Sequence, residues 1–326
     1  MGRNMLVDGA WRTDVEPSTD EDGAFDRVET AFRDRVRDDA DTRFQPEAGR
    51  YHLYIARNCP WAHGAALTRR LAGLTDAVSM DIVDPWREDE GWAFTPGKDG
   101  CTPDTVNGCE YLRDVYVKAD PEYTGRVTVP VLWDRQEGTI VNNESIEIMR
   151  TFATAFEGIG DDGLDLYPEG SREGIDRIID ALYDGLNNGV YRAGFAESQV
   201  AYDEAVRDVF DALDHWDDVL ADQRYLAGDR LTLADVRAFP TLVRFDECYH
   251  NAFKCNRQYV HQYEHLWPYL RDLYGTPGVA ETVVWDHIKD QGYYQGEITP
   301  IGPGLDYGAP HDRDRLAGAS PSVSGS

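Results

Sequence analysis

The chain has 326 residues, with 60 acidic against 32 basic side chains, a formal net charge of −28, and five cysteines. That length exceeds the usual single-core size and implies two domains with tails, while so negative a charge argues against nucleic acid as a partner. No apolar run suits a membrane span and the start "MGRNMLVDGAWRTD" lacks the apolar core of a secretory signal, so a cytoplasmic protein without membrane association is expected.

The acids are 40 Asp and 20 Glu spread along the chain, and Lys98, Lys118, Lys254 and Lys289 are its only lysines. This is the composition of a salt-adapted, haloarchaeal-like surface. A dense carboxylate shell repels itself in dilute buffer and is tolerated when molar salt shortens the Debye length to about 3 Å. The charge is read as habitat rather than as an acidic binding face.

Residues 1–49 form an acidic N-terminal extension, with "DVEPSTDEDG" too poor in apolar residues to fold alone. From residue 50, "RYHLYIA", "AHGAALTRRLAGL" and "AVSMDIV" read as strand, helix and strand. An insertion rich in Gly, Pro, Asp and aromatic residues follows at about 84–126. Two strands, "VTVPVLWD" and "TIVNN", are then joined by the turn "RQEG" and closed by the helix "SIEIMRTFATAF". The order β-α-β, β-β-α is the thioredoxin-like arrangement, assigned to 50–160. It places Pro130 at the start of the third strand, where a cis Val129–Pro130 bond beside a functional site is expected, a trans proline being the alternative.

Residues 161–300 are expected to be all helical, with amphipathic stretches at about 171–187, 199–222, 232–247, 261–274 and 277–287. Pro268 should kink or divide the fourth. Thr232 and Asp235 in "LTLAD" read as a capping box, with Leu231 and Val236 as its hydrophobic staple. The Gly/Pro/Ser-rich tail, 301–326, is expected to be flexible.

Cys59, in "YIARNCPWAHGAALTRR", stands between a strand and a helix. Three roles are open to it: packed hydrophobe, metal ligand or nucleophile. The free amides of a helix N-terminus favour thiolate over thiol, and Pro60 suits the first helical position. The motif is C-P-W-A rather than C-x-x-C, so Cys59 has no local resolving partner and is expected to act as a monothiol that borrows a second thiol from solution. Cys101 and Cys109, and Cys248 and Cys255, lack zinc-knuckle spacing and are read as packed or inert, with no metal expected. Glu144 and Ser145, where a strand gives way to a helix, suit the carboxylate of a small thiol, with a plain N-cap as the alternative for Ser145. His63, one turn after Cys59, is either a polarising group or a surface histidine. Tyr191 and Tyr249 either face a phenolic substrate or pack in the core.

The blocks "YHLYIARNCPWAHGAALTRRLAGL", "YLRDVYVKADPEYTGRVTVPVLWD", "TIVNNESIEIMRTF", "NNGVYRAGFA", "LTLADVRAFPTLVRFD" and "FKCN" resemble the xi-class glutathione transferases, the glutathionyl-hydroquinone reductases, in order from about 50 to 290. The resemblance implies a thioredoxin-like N-terminal domain, an all-helical glutathione-transferase C-terminal domain and a homodimer. It implies that Cys59 takes the thiol group from an S-glutathionyl-hydroquinone as a mixed disulfide, which a second small thiol resolves. It implies Tyr191 and Tyr249 as catalytic partners and Trp92, Arg126, the Val129 backbone, Glu144 and Ser145 as thiol-binding positions. The family block H-I-K-x-H-Y-Y-x-S-H is replaced by "HIKDQGYYQGE", which leaves Tyr293 or Tyr294 as the substrate-site residue. A salt-adapted host implies γ-glutamylcysteine as an alternative to glutathione as the thiol co-substrate. Competing readings are an omega-like thiol transferase or dehydroascorbate reductase, a non-catalytic interaction module, and conjugation of thiols to electrophiles.

Overall fold

Strand β3, Tyr51–Ile55, is buried at every residue, as a central strand covered on both faces must be. It pairs in parallel with β4 (Ser79–Ile82) and antiparallel with β5 (Val131–Asp134), which in turn pairs antiparallel with β6 (Thr139–Asn142). The resulting order, β4-β3-β5-β6, with helix α1 (Pro60–Leu71) after β3 and α3 (Ser145–Thr154) after β6, is the thioredoxin-like arrangement expected from the sequence. These relations come from a computed structural model that describes residues 4–15, 22–25, 30–39, 41–160 and 163–313. Helices α1 and α3 pack on one another. Gly64 permits the approach, because a Cβ there would lie 3.1 Å from the Met149 sulfur.

The described residues fall into two units. The first lies within Met1–Pro17, Val28–Gly163 and Val284–Gln295, and the second within Ser18–Arg27, Leu164–Val283 and Gly296–Ser326. In the first, the 84–126 segment contains a helix, α2 (Leu112–Ala119), and carboxylates staple the loop before it. Asp104 accepts from the Val106, Asn107 and Cys109 amides and from the Tyr54 hydroxyl, and Asp81 accepts from the Thr105 amide and hydroxyl. Each buried carboxylate is thus satisfied by several donors.

The second unit holds α4 (Arg172–Leu182), α5 (Gly189–Gly194), α6 (Gln199–Asp222), α7 (Leu233–Arg244), the short α8 (His250–Ala252) and α9 (Leu266–Gly275). The Thr232–Asp235 capping box forms as expected at the start of α7. Pro268 does not kink a helix: it lies in the first turn of α9, where no N–H is needed for the ladder. Periodicity also missed three π-helical stretches, Tyr183–Asn187, Phe245–Tyr249 and Asp286–Tyr293.

Three segments part from the domain limits expected from sequence. Residues of the 1–49 extension supply a hairpin, β1 (Met5–Val7) with β2 (Ala10–Arg12), and the buried side chains Leu6, Val36 and Phe44. The Asp286–Tyr293 turn belongs to the first unit, its His287 Nε2 lying 2.8 Å from the Asp99 carbonyl. In the tail, Tyr307 and Arg313 are buried, and the Arg313 guanidinium donates to the Gln223 and Arg224 carbonyls at 2.6 and 2.8 Å. Isolated apolar and cationic anchors of this kind leave no periodic trace. Residues beyond 313 lie outside the described ones.

Candidate active site

Cys59 is the N-cap of α1, with extended backbone angles of φ −77° and ψ 117°, and Pro60 follows at the first helical position. Its amide donates to the Ala56 carbonyl at 3.1 Å, and its own carbonyl accepts the His63 amide at 2.9 Å, closing the first turn. As a cysteine at a helix N-cap, Cys59 lies at the positive end of the helix dipole, an environment that favours a thiolate. It is half-buried, and Sγ lies 3.6 Å from the Val129 carbonyl oxygen, to which the thiol donates. The Val129–Pro130 peptide is cis. The proline turn thus presents the Val129 backbone directly to the cysteine.

None of the five cysteines is in a disulfide. Burial pushes the Cys109 and Cys255 thiols up to about 12, with Asp104 adding to the effect at Cys109, and burial also raises Cys101. High thiol pKa values make poor nucleophiles at neutral pH. His63 is buried, not on the surface.

Glu144 and Ser145 form the β6–α3 corner. Glu144 is the N-cap of α3 and Ser145 its first residue, so the simple N-cap reading of Ser145 is replaced by one in which Glu144 caps. The Glu144 carboxylate accepts from the Ile146 amide and the Ser145 hydroxyl, each at 3.4 Å, and from the Thr30 hydroxyl at 3.4 Å. These contacts are long for hydrogen bonds. Trp92 is buried beneath the Arg87 guanidinium, 4.6 Å from its ring, and its indole Nε1–H is buried without a partner. A buried donor without a partner costs free energy unless a further group satisfies it. Arg126 donates weakly to the Asn4 carbonyl at 3.4 Å, and burial holds its guanidinium below the usual value.

Tyr116 joins these parts and escaped the sequence reading. Its hydroxyl donates to the Thr128 carbonyl at 2.9 Å and accepts from the Asn143 side-chain amide at 3.1 Å. One buried phenol therefore ties the segment before the cis-proline to the residue before Glu144. A tyrosine in a helical pattern gives no sequence signal for such a tie.

In the second unit, Tyr191 and Tyr249 come together, both buried, with ring centroids 6.0 Å apart and Phe253 5.2 Å from each. Tyr249 ends the 245–249 π stretch, and its carbonyl accepts from the Phe253 and Cys255 amides at 3.1 Å each. Asp246 anchors that stretch by accepting from the Val260 and His261 amides at 2.6 and 3.0 Å. Asn187 anchors the 183–187 stretch through the Arg237 carbonyl and the Thr241 hydroxyl. Tyr293 and Tyr294 lie at the end of the third π stretch, both half-buried. All four candidate tyrosines thus lie in or within four residues of a π turn, where one extra residue per turn re-aims the side chains that follow.

The arrangement offers a half-buried cysteine sulfur at a helix N-terminus beside the Val129 backbone. It suits thiol exchange without an internal resolving cysteine.

The fold has counterparts among known proteins. Residues 58–155 match the glutathione S-transferase N-terminal domain, and residues 199–272 match the C-terminal domain. The chain is 44% identical to glutathionyl-hydroquinone reductase YqjG of Escherichia coli, over 95% of this chain and 98% of that one. The glutathione-bound structure of YqjG superposes with a TM-score of 0.85, covering 95% and 99% of the two chains at 42% identity. Glutathionyl-hydroquinone reductase PcpF of Sphingobium chlorophenolicum is 44% identical over 92% of this chain and 96% of its own. The structure of a xi-class glutathione transferase from Natrialba magadii is 59% identical, with a TM-score of 0.91 and coverage of 97% and 98%. Identity of this order over nearly the full length of each partner, in sequence and in fold alike, makes the chain a member of the xi class of the glutathione transferase family.

Proposed function

We propose that the protein is a glutathionyl-hydroquinone reductase whose nucleophile is Cys59. The observation that carries this reading is the half-buried Cys59 sulfur at the N-terminus of α1, 3.6 Å from the Val129 carbonyl oxygen beside a cis-proline. Two curated relatives at 44% identity carry that activity in their names. The Cys59 thiolate attacks the sulfur that links the glutathionyl group to the ring. The new S–S bond forms as the aryl C–S bond breaks, its electron pair passes to the ring carbon, and that carbon takes up a proton as the hydroquinone leaves. A second thiol, as thiolate, attacks the mixed disulfide and returns Cys59 to the thiolate form, releasing a small-molecule disulfide. Net, one thiol is consumed and the substrate carbon is reduced at the expense of two sulfurs.

Trp92, Arg126, the Val129 backbone, Glu144 and Ser145 are assigned to the small thiol. Tyr191 and Tyr249 are assigned to the substrate hydroxyls, where donation stabilises charge developing on the leaving ring. Tyr293 or Tyr294 is assigned to the same aromatic group. The co-substrate is glutathione or γ-glutamylcysteine, on the reading that the site does not require the glycine residue. The proposal carries with it a cytoplasmic homodimer on a salt-adapted surface. No described helix is long and apolar enough to cross a membrane.

Release of hydroquinone from S-glutathionyl-hydroquinone, followed by chromatography, should fall to background in Cys59→Ser. Turnover retained in that variant would remove the nucleophile from the account. Steady-state kinetics with both thiols decide the co-substrate: γ-glutamylcysteine should support turnover, and strict dependence on glutathione would sink the idea that the glycine is dispensable.

A further inference from the structure

The segment from Thr30 to Val36 lies in what reads as a disposable acidic extension, yet it runs along the β6–α3 corner and is fastened to it by side chain and backbone. The Phe32 carbonyl accepts the Asn143 amide at 3.1 Å, and the Phe32 amide donates to the Asn143 side-chain oxygen at 3.1 Å. Arg33 grips Glu147 with two parallel hydrogen bonds of 2.8 and 2.7 Å, and Arg35 adds a third at 3.3 Å. The Asn142 side chain bridges the two sides, donating to the Asp34 carbonyl and to Glu147, each at 2.9 Å. Glu147 is 7% exposed while Arg33 is 47% exposed, so the strap pairs a partly exposed cation with a carboxylate buried in the folded chain. A paired, multiply bonded carboxylate of this kind holds geometry.

Two further contacts lead from the strap to the thiol-binding positions. The Thr30 hydroxyl donates to Glu144 itself. The Phe32 ring stacks on Tyr123 at 5.4 Å and meets Tyr116 edge-on at 5.9 Å, and Tyr116 holds the Thr128 carbonyl next to the Val129–Pro130 turn. The strap therefore touches both halves of the backbone that faces a bound thiol.

We propose that residues 30–36 are a positioning element for thiol recognition, pinned by Arg33 to Glu147, which sets the Glu144–Ser145 corner and through Phe32 and Tyr116 the Val129 edge. This rests on the reading that Glu144, Ser145 and Val129 bind the thiol. The strap's contacts run to Glu144, Asn143, Glu147 and Tyr116, so the strap is assigned to binding and not to the chemical step.

The test uses the full-length chain in two backgrounds. In Cys59→Ser, calorimetry with glutathione gives the binding constant free of turnover; with Cys59 intact, steady-state kinetics separate KM from kcat. Arg33→Ala should weaken glutathione binding and raise its KM by roughly tenfold, the scale of a lost charge-assisted hydrogen bond, with kcat held within about twofold. Arg33→Lys, which keeps the charge and one hydrogen bond, should recover part of the loss. Thr30→Val, a half-buried change that leaves the Arg33 pin intact, should weaken binding by a smaller factor with no change in melting temperature. A role in folding alone would lower kcat through loss of active protein and leave KM and the binding constant where they were. Binding by Arg33→Ala and Thr30→Val equal to that of the parent would overturn the strap proposal while leaving the site intact. Absence of glutathione binding in the parent would instead overturn the site assignment and the strap with it.

Discussion

At the scale of single residues, the two halves of the proposed chemistry separate cleanly. Cys59 supplies the attack, whereas Tyr191 and Tyr249 act only on a leaving group that needs its charge stabilised. Tyr191→Phe and Tyr249→Phe should therefore lower kcat on S-glutathionyl-hydroquinones by about 10²-fold, the usual scale for a positioned acid. The same variants should reduce a simple mixed disulfide, whose leaving thiol needs no such help, at close to the parent rate. Equal losses on both substrates would remove the tyrosines from the leaving-group role. Glu147 gives a second residue-level expectation. Burial works against its charge, but Arg33, Asn142 and Arg35 outweigh burial and hold the carboxyl at about 2, below the ordinary 4.5. A depressed carboxylate stabilises the fold above its unfolded value and loses that contribution as pH falls through its folded value. Acid unfolding of the parent should accordingly steepen between about 4.5 and 2 relative to Glu147→Gln. Superimposable acid limbs would contradict the pinned strap. The sequence made Cys59 and the Glu144–Ser145 corner legible because each marks a strand-to-helix junction, where residue type and position are coupled. Tyr116, Phe32 and Arg33 were illegible because their partners lie far along the chain and their types are common.

At the scale of elements, alternation and helical period disclosed the sheet, α1, α3 and most of the second unit's helices, because those patterns report a buried face directly. The π turns stayed hidden, since one extra residue leaves the apolar stripe almost unchanged while shifting everything after it. Asp286–Tyr293 shows the consequence. It resembles a last turn of the helical domain in sequence, but it docks on the first unit, where Gly292 faces Asn58, the neighbour of Cys59. A Cβ at Gly292 would stand 2.6 Å from Asn58 Cβ and 2.7 Å from the His287 carbonyl oxygen. Neither neighbour is the free end of a long side chain. Gly292→Ala should cost about 1–3 kcal/mol of stability, as overpacking does, read from the midpoint of urea unfolding. An unchanged midpoint would mean that the turn is more loosely docked than its geometry indicates.

At the scale of the whole molecule, the charge of −28 and the shortage of lysine are what the proposed salt adaptation rests on. Self-repulsion among carboxylates is long-ranged in dilute buffer and nearly extinguished at about 1 M salt. The melting temperature should climb from dilute buffer to molar potassium chloride, and a flat or falling profile would detach the composition from salt adaptation. The family fold, Cys59 at the start of α1 and the proposed thiol-binding corner lead to one proposed event, the transfer of a glutathionyl group onto Cys59. Intact-protein mass spectrometry after mixing the parent with S-glutathionyl-hydroquinone, without a second thiol, reads that event directly. One glutathionyl group per chain is expected, located on Cys59, absent in Cys59→Ser and removed by added thiol. Hydroquinone released with no adduct on Cys59, or an adduct located on another cysteine, would contradict it.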